Sequence, residues 1–196
     1  MSGSTSALNG TAFLSTPIEV LDKAKSTLTT INRQTHTNKL TGTGQITVVC
    51  ASEKGTNWYA TRTPLRLNLS GFRGTLVAGV VYSADGRFTF DTSNGSDGYI
   101  LNIPEGIIVQ NSGQSLRIGQ VTGTGSLGGY SSFANDGSYR LNTWQVGNDD
   151  DFTFDGGITG GDSFEKMGSG TMTISATAAA GKWTTTGNVT IREGAL

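Results

Sequence analysis

From Leu40 onward, apolar and polar positions alternate in short runs. GQITVVCA, TNWYAT, LRLNLS, GTLVAGVVYS, GRFTFD, YILNIP, GIIVQ, SLRIGQ, SYRLNTWQV, DFTFD, TMTISA and WTTTGNVTIR are rich in β-branched and aromatic residues and are bounded by Gly, Asn, Asp or Pro. A period of two sends successive side chains to opposite faces, so each run is a predicted strand. Asp85-Gly86 is the clearest hairpin signal, followed by Asp97-Gly98 and Asp136-Gly137. Many short strands, close turns and no crossover helices predict an all-β, mainly antiparallel fold: a β-sandwich or barrel of the jelly-roll or Ig-like kind.

Upstream of Leu40 the period changes. The first dozen residues read as a flexible arm, and STPIEVLDKAKSTLTTINRQ predicts an amphipathic helix from Pro17 to about Asn32. Ser15 or Thr16 supplies the cap, Pro17 the first turn, and Glu19 completes a capping box. Ile18, Leu21, Leu28 and Ile31 share one stripe, which makes them the predicted assembly contact. The chain thus divides into an arm and helix over 1–39 and a Gly/Thr/Ser-rich β domain over 40–196.

Glycine is the commonest punctuation, at 29 of 196 residues. Within VTGTGSLGGYSSF, Gly123, Gly125 and Gly128 match the spacing of a dinucleotide-binding loop. That chemistry needs a following helix whose N–H groups face the pyrophosphate. Here YSSFANDGSYRLN gives a turn and another strand instead, so no cofactor is expected. LTGTGQITV, VTGTGSLGG and KMGSGTMTI each place Gly-x-Gly where a strand begins or ends. The preferred reading is recurrent corner chemistry, with small residues permitting close approach of backbone.

Charge narrows the partners. Only 15% of residues are charged and the net charge is −1. Scattered basic residues do not make the clustered cationic surface that nucleic acid needs, and no apolar run approaches the ~20 residues required to span a bilayer. MSGSTSALNGTAFLS lacks the pattern of a secretory leader, which points to synthesis in the cytosol. The single cysteine, Cys50, lies in an alternating run and reads as a core residue. The single histidine, His36, reads as a surface or turn residue. One of each cannot form a His/Cys zinc set within one chain.

Two clusters offer chemistry. GNDDDFTFDGG concentrates Asp149, Asp150, Asp151 and Asp155, with Asp162 and Glu165 nearby; hard oxygen ligands at this density could hold calcium, against the favoured alternative of an acidic solvated turn. Trp58, Tyr59, Tyr99, Tyr130, Trp144 and Trp183 could stack on a glycan, or fill a core. No G-x-S-x-G elbow or other nucleophile motif is present, and no enzymatic activity is expected.

SGTMTISATAAAGKWTTTGNVTIREGAL resembles the closing strands of fimbrial pilins, and GQITVVCASEKGTNWYATR resembles an early hairpin of pilin-like invasins. That resemblance implies a pilin or adhesin subunit of a surface filament. The small-residue arm followed by a low-charge, Gly/Ser/Thr/Asn-rich β body resembles phage virion components, such as head decoration, tail or fibre proteins. This second resemblance implies a non-enzymatic subunit in a virion, made in the host cytoplasm, whose partners are copies of itself and other virion subunits. A carbohydrate-binding module is the third alternative.

Overall fold

The computed structural model of the chain describes residues 15–30, 36–51, 65–81, 87–91, 93–112, 115–128, 142–175 and 182–196. Among these residues there is no helix, and seventeen strands follow one another. They are β1 (Ile18–Val20), β2 (Lys25–Thr29), β3 (Lys39–Gly42), β4 (Gln45–Ala51), β5 (Asn68–Phe72) and β6 (Thr75–Val81). Next come β7 (Arg87–Asp91), β8 (Ser96–Asn102), β9 (Ile108–Ser112), β10 (Ser115–Thr122), β11 (Ser126–Gly128) and β12 (Thr143–Val146). The series ends with β13 (Phe152–Phe154), β14 (Gly157–Thr159), β15 (Ser163–Lys166), β16 (Met172–Ile174) and β17 (Val189–Ile191).

Every ladder among them is parallel. Strands pair with those one circuit before or after them, so the chain winds as a parallel β-solenoid. Lys25, Gln45, Thr75, Ile100 and Gln120 lie in one register column, giving circuits of 20, 30, 25 and 20 residues. Three ladders run along its length. The first contains β1, β3 and β5, the leading halves of β8 and β10, then β12, β15 and β17. The second contains β2, β4 and β6 and the trailing halves of β8 and β10, and the separate pair β13 and β16 packs next to β10 on the same side. The third begins as bridges at His36 and Leu65, continues through β7, β9, β11 and β14, and ends at Trp183.

The expected antiparallel sandwich or barrel is therefore overturned. Alternation is the same whether a strand's neighbour runs parallel or antiparallel, so the hydrophobic pattern could not distinguish them. A parallel pair needs a long crossover, and here that crossover is the rest of the coil and not a helix. Asp97-Gly98, expected as a hairpin turn, lies inside β8; Asp85-Gly86 and Asp136-Gly137 lie outside the described residues.

The expected N-terminal helix is also replaced, by β1 and β2. KSTLTT is dense in Thr, whose branched side chain favours extended backbone, and β2 finds its hydrogen-bond partners in β4. Lys23 takes a left-handed φ of 61° in the corner between the two strands. Residues 18–29, assigned to the arm-and-helix segment, thus form the first coil of the ladders that continue through residues 40–196.

Inward side chains stack in columns. Phe88, Val109, Leu127 and Ile158 follow one another down the third ladder, all fully buried. Leu116, Trp144 and Phe164 do the same in the first, and Ile46, Leu76, Leu101 and Val121 in the second. Each column joins like to like at the strand spacing of about 4.8 Å, so apolar area is removed from water continuously along the axis. Phe164 meets Trp183 edge-to-face at a centroid distance of 5.7 Å.

The Gly-x-Gly sequences occupy corners. Gly42-Thr43-Gly44 and Gly168-Ser169-Gly170 join the first ladder to the second, while Gly123-Thr124-Gly125 joins the second to the third. At Gly123 φ is +92° and a Cβ would lie 2.2 Å from the Ile103 carbonyl oxygen of the coil above. Both the dihedral and the contact demand glycine there. Gly106 separates the two effects: its φ is +77°, yet nothing lies within 4 Å of its Cβ position. We expect Gly106→Ala to cost about 1 kcal/mol, from the left-handed backbone alone. Gly123→Ala should cost about 3 kcal/mol or more, because neighbouring backbone must also move. Urea denaturation of the two variants checks this; equal losses would contradict the close stacking of coils.

Candidate functional site

The corner between the first and second ladders carries the densest charge. Asp97, Arg117, Asn148, Asp149, Asp150, Met167, Gly168 and Glu193 line an open groove of about 530 Å³ there. Backbone bonds from coil to coil fix its floor: Gly147 N–H donates to the Ile118 carbonyl at 3.0 Å, and Gly170 N–H to that of Asn148 at 3.1 Å.

The acidic run forms the corner arc of one coil and clamps the coil below. Asp149 Oδ1 accepts from the Ser169 N–H at 3.1 Å and from its hydroxyl at 2.9 Å, while Asp151 Oδ1 accepts from the Thr171 N–H at 2.6 Å. Both partners lie 20 residues on, which is one circuit. Asp150 Oδ2 receives Gln120 Nε2 and Asn148 Nδ2, each at 3.4 Å. The Ser169 backbone and hydroxyl bonds hold the Asp149 carboxyl below the usual carboxylate range.

Of the calcium candidates, Asp149, Asp150 and Asp151 share this arc. Asp155 lies past β13, exposed, at the next corner. Among the described residues, no three His, Cys, Asp or Glu side chains are grouped to hold a metal ion. One carboxylate oxygen of Asp149 and one of Asp151, the Oδ1 in each case, accept from backbone N–H groups.

Beneath the groove lies a feature the sequence reading missed. Lys166 occupies an inward register position below Ile118 and Val146 and is fully buried. Its ammonium reaches the corner and donates to the carbonyls of Met167 at 2.7 Å, Gly168 at 2.8 Å and Glu193 at 3.4 Å. Burial lowers its pKa, and the Arg117 charge adds to that. Alternation in SFEK contained the signal, since Phe164 and Lys166 must face the same side. On the outer face, Glu165 accepts from Arg192 Nη2 at 2.6 Å and Gln145 Nε2 at 2.9 Å, bonds that lower its pKa.

A second polar stack lies at the corner between the third ladder and the first. Buried Asn142 donates its N–H to Asp162 Oδ1 at 3.2 Å, and its Nδ2 reaches both that oxygen and the Asn111 carbonyl. Burial pushes Asp162 up to about 6. His36, expected at the surface, is buried where it bridges to Leu65, and desolvation lowers its pKa. Cys50 lies in β4.

The remaining candidates are dispersed. Tyr99 and Trp144 are buried in the core, and Trp183 donates its indole N–H to the Gly156 carbonyl at 3.2 Å. Trp58, Tyr59 and Tyr130 lie outside the described residues, so no aromatic platform forms among those described. Of the stripe Ile18, Leu21, Leu28 and Ile31, the three described members do not share one surface. Leu28 is buried, Ile18 packs partly against the core, Leu21 is 64% exposed, and Ile31 lies outside the described residues. No protein-family model, curated protein or solved structure matches the chain.

Asp162 yields a pH dependence. Its folded pKa, about 6, lies above its unfolded value of 3.8, so the native state holds the proton more tightly. The contribution is fully present below pH 4 and is lost as pH rises through 6, by up to about 3 kcal/mol. Asp162→Asn should remove this slope, because the amide oxygen still accepts from Asn142 and no proton is exchanged. Urea titrations from pH 4 to 7.5 check it; an unchanged slope in the variant would contradict the assignment.

Proposed function

We propose that this chain is a non-enzymatic structural subunit of a virion, of the decoration, tail or fibre kind, which works by self-assembly. One observation carries this reading. Every ladder among the described residues is parallel, and the inward columns form one hydrophobic core that runs from coil to coil. A solid stacked core makes a stiff rod, and its length is set by the number of coils.

The charged corner supports the same reading. Asp149 and Asp151 bind backbone N–H groups one coil on, and Lys166 bonds the Glu193 carbonyl of the following coil, which is work of structural fastening. Low surface charge and many Ser, Thr and Asn side chains suit extensive contacts between copies, where each buried charge would carry a desolvation cost.

Light scattering with negative-stain imaging across a concentration series tests the proposal. The expected result is a discrete oligomer or filament that persists on dilution into the low micromolar range. A monomer at every concentration would overturn it.

A further inference from the structure

The groove at the corner between the first and second ladders is built from successive coils. Asp97 lies on one coil, Arg117 on the next, Asn148 and Asp150 on the third, Met167 on the fourth and Glu193 on the last of the series. Coil spacings of about 4.8 Å make the groove about 19 Å long, parallel to the solenoid axis. A volume of about 530 Å³ over that length is the width of a single extended chain. Gly168 lines it, and a Cβ there would lie 2.4 Å from the Asn148 carbonyl oxygen, so no side chain at that position can close it.

The groups along the groove are not consumed by one another. On the adjoining face, Glu165 is engaged by Arg192 at 2.6 Å and by Gln145 at 2.9 Å. In the groove, Arg117 forms no ion pair with Asp97, Asp150 or Glu193 among the described residues, and the Asp150 carboxylate receives only the two contacts at 3.4 Å from Gln120 and Asn148. The Arg117 Nη1 is covered by protein and has no hydrogen-bond partner. A cation that has given up part of its hydration without gaining an anion has much to gain from a new acceptor at its remaining N–H groups.

Opposite charges held apart along one line select the ligand. A polyanion would meet the carboxylates of Asp97, Asp150 and Glu193, and a polycation would meet Arg117 between them with the Lys166 ammonium beneath. Among the described residues, no three acidic side chains are grouped around one cation. A hydroxyl both donates and accepts, so one hydroxyl can take a hydrogen bond from Arg117 and give one to a carboxylate.

We propose that this groove binds a linear, uncharged oligosaccharide lying along the solenoid axis. Arg117 and Asn148 donate to its hydroxyl and ring oxygens, Asp97, Asp150 and Glu193 accept from its hydroxyls, and Met167 packs on the C–H face of a ring. This binding role is additional to the assembly role and independent of it.

Isothermal titration calorimetry of the full chain tests the assignment against cellohexaose, maltohexaose, xylohexaose, mannohexaose and chitohexaose, with hexagalacturonate, hexalysine and calcium chloride alongside. At least one of the uncharged hexamers is expected to bind. Arg117→Gln and Asp150→Asn, each shown folded by circular dichroism, should weaken that binding at least about tenfold, since each removes a charge-assisted hydrogen bond. Glu165→Gln, on the adjoining face, should leave it unchanged. Failure of every uncharged hexamer to bind, tighter binding of hexagalacturonate, hexalysine or calcium, or undiminished affinity in the Arg117→Gln and Asp150→Asn chains overturns the proposal.

Discussion

Hydrogen bonding between successive coils is the constraint on which the rest of this structure depends. A strand in a solenoid finds its backbone partners only in the strands one circuit before and after it, so circuit and register must agree at every level. Once they agree, side chains of one column lie at strand spacing and must match in character. Phe88, Val109, Leu127 and Ile158 meet that demand, as do Leu116, Trp144 and Phe164. Corners must bring backbone against backbone, which is why Gly-x-Gly recurs there.

Polar groups inside the stack obey the same rule. Lys166 extends from an apolar column to three corner carbonyls, and Asn142 joins Asp162 to Asn111 across two circuits. The aspartates of the acidic run reach down one coil to bind N–H groups that the turn leaves free. Asp149 and Asp151 thereby act as rivets between coils.

Much of this is legible in sequence at the level of strands and little at the level of pairing. The alternating runs from Leu40 onward mark strands, and LTGTG, VTGTG and KMGSG mark corners. The pairing is hidden because parallel and antiparallel strands share one pattern, and because circuits range from 20 to 30 residues along one column. Unequal circuits erase the fixed period that would reveal a repeat. KSTLTT reads as helix because its few apolar residues fit that spacing, yet a tertiary partner, β4, decides the conformation. The 20-residue relation between Asp149 and Ser169, and between Asp151 and Thr171, is present in sequence but has no meaning until the circuit is known.

The most direct test of the account is the stepwise spacing along one column. Spin labels at Lys25 and Thr75, and separately at Lys25 and Gln120, in a chain with Cys50 replaced by Ser, probe positions two and four coils apart. Electron paramagnetic resonance should give backbone separations of about 10 Å and about 19 Å, since each coil adds about 4.8 Å. Separations that do not rise in proportion to the number of coils would contradict the parallel solenoid, and with it the account of the corners and the buried polar groups.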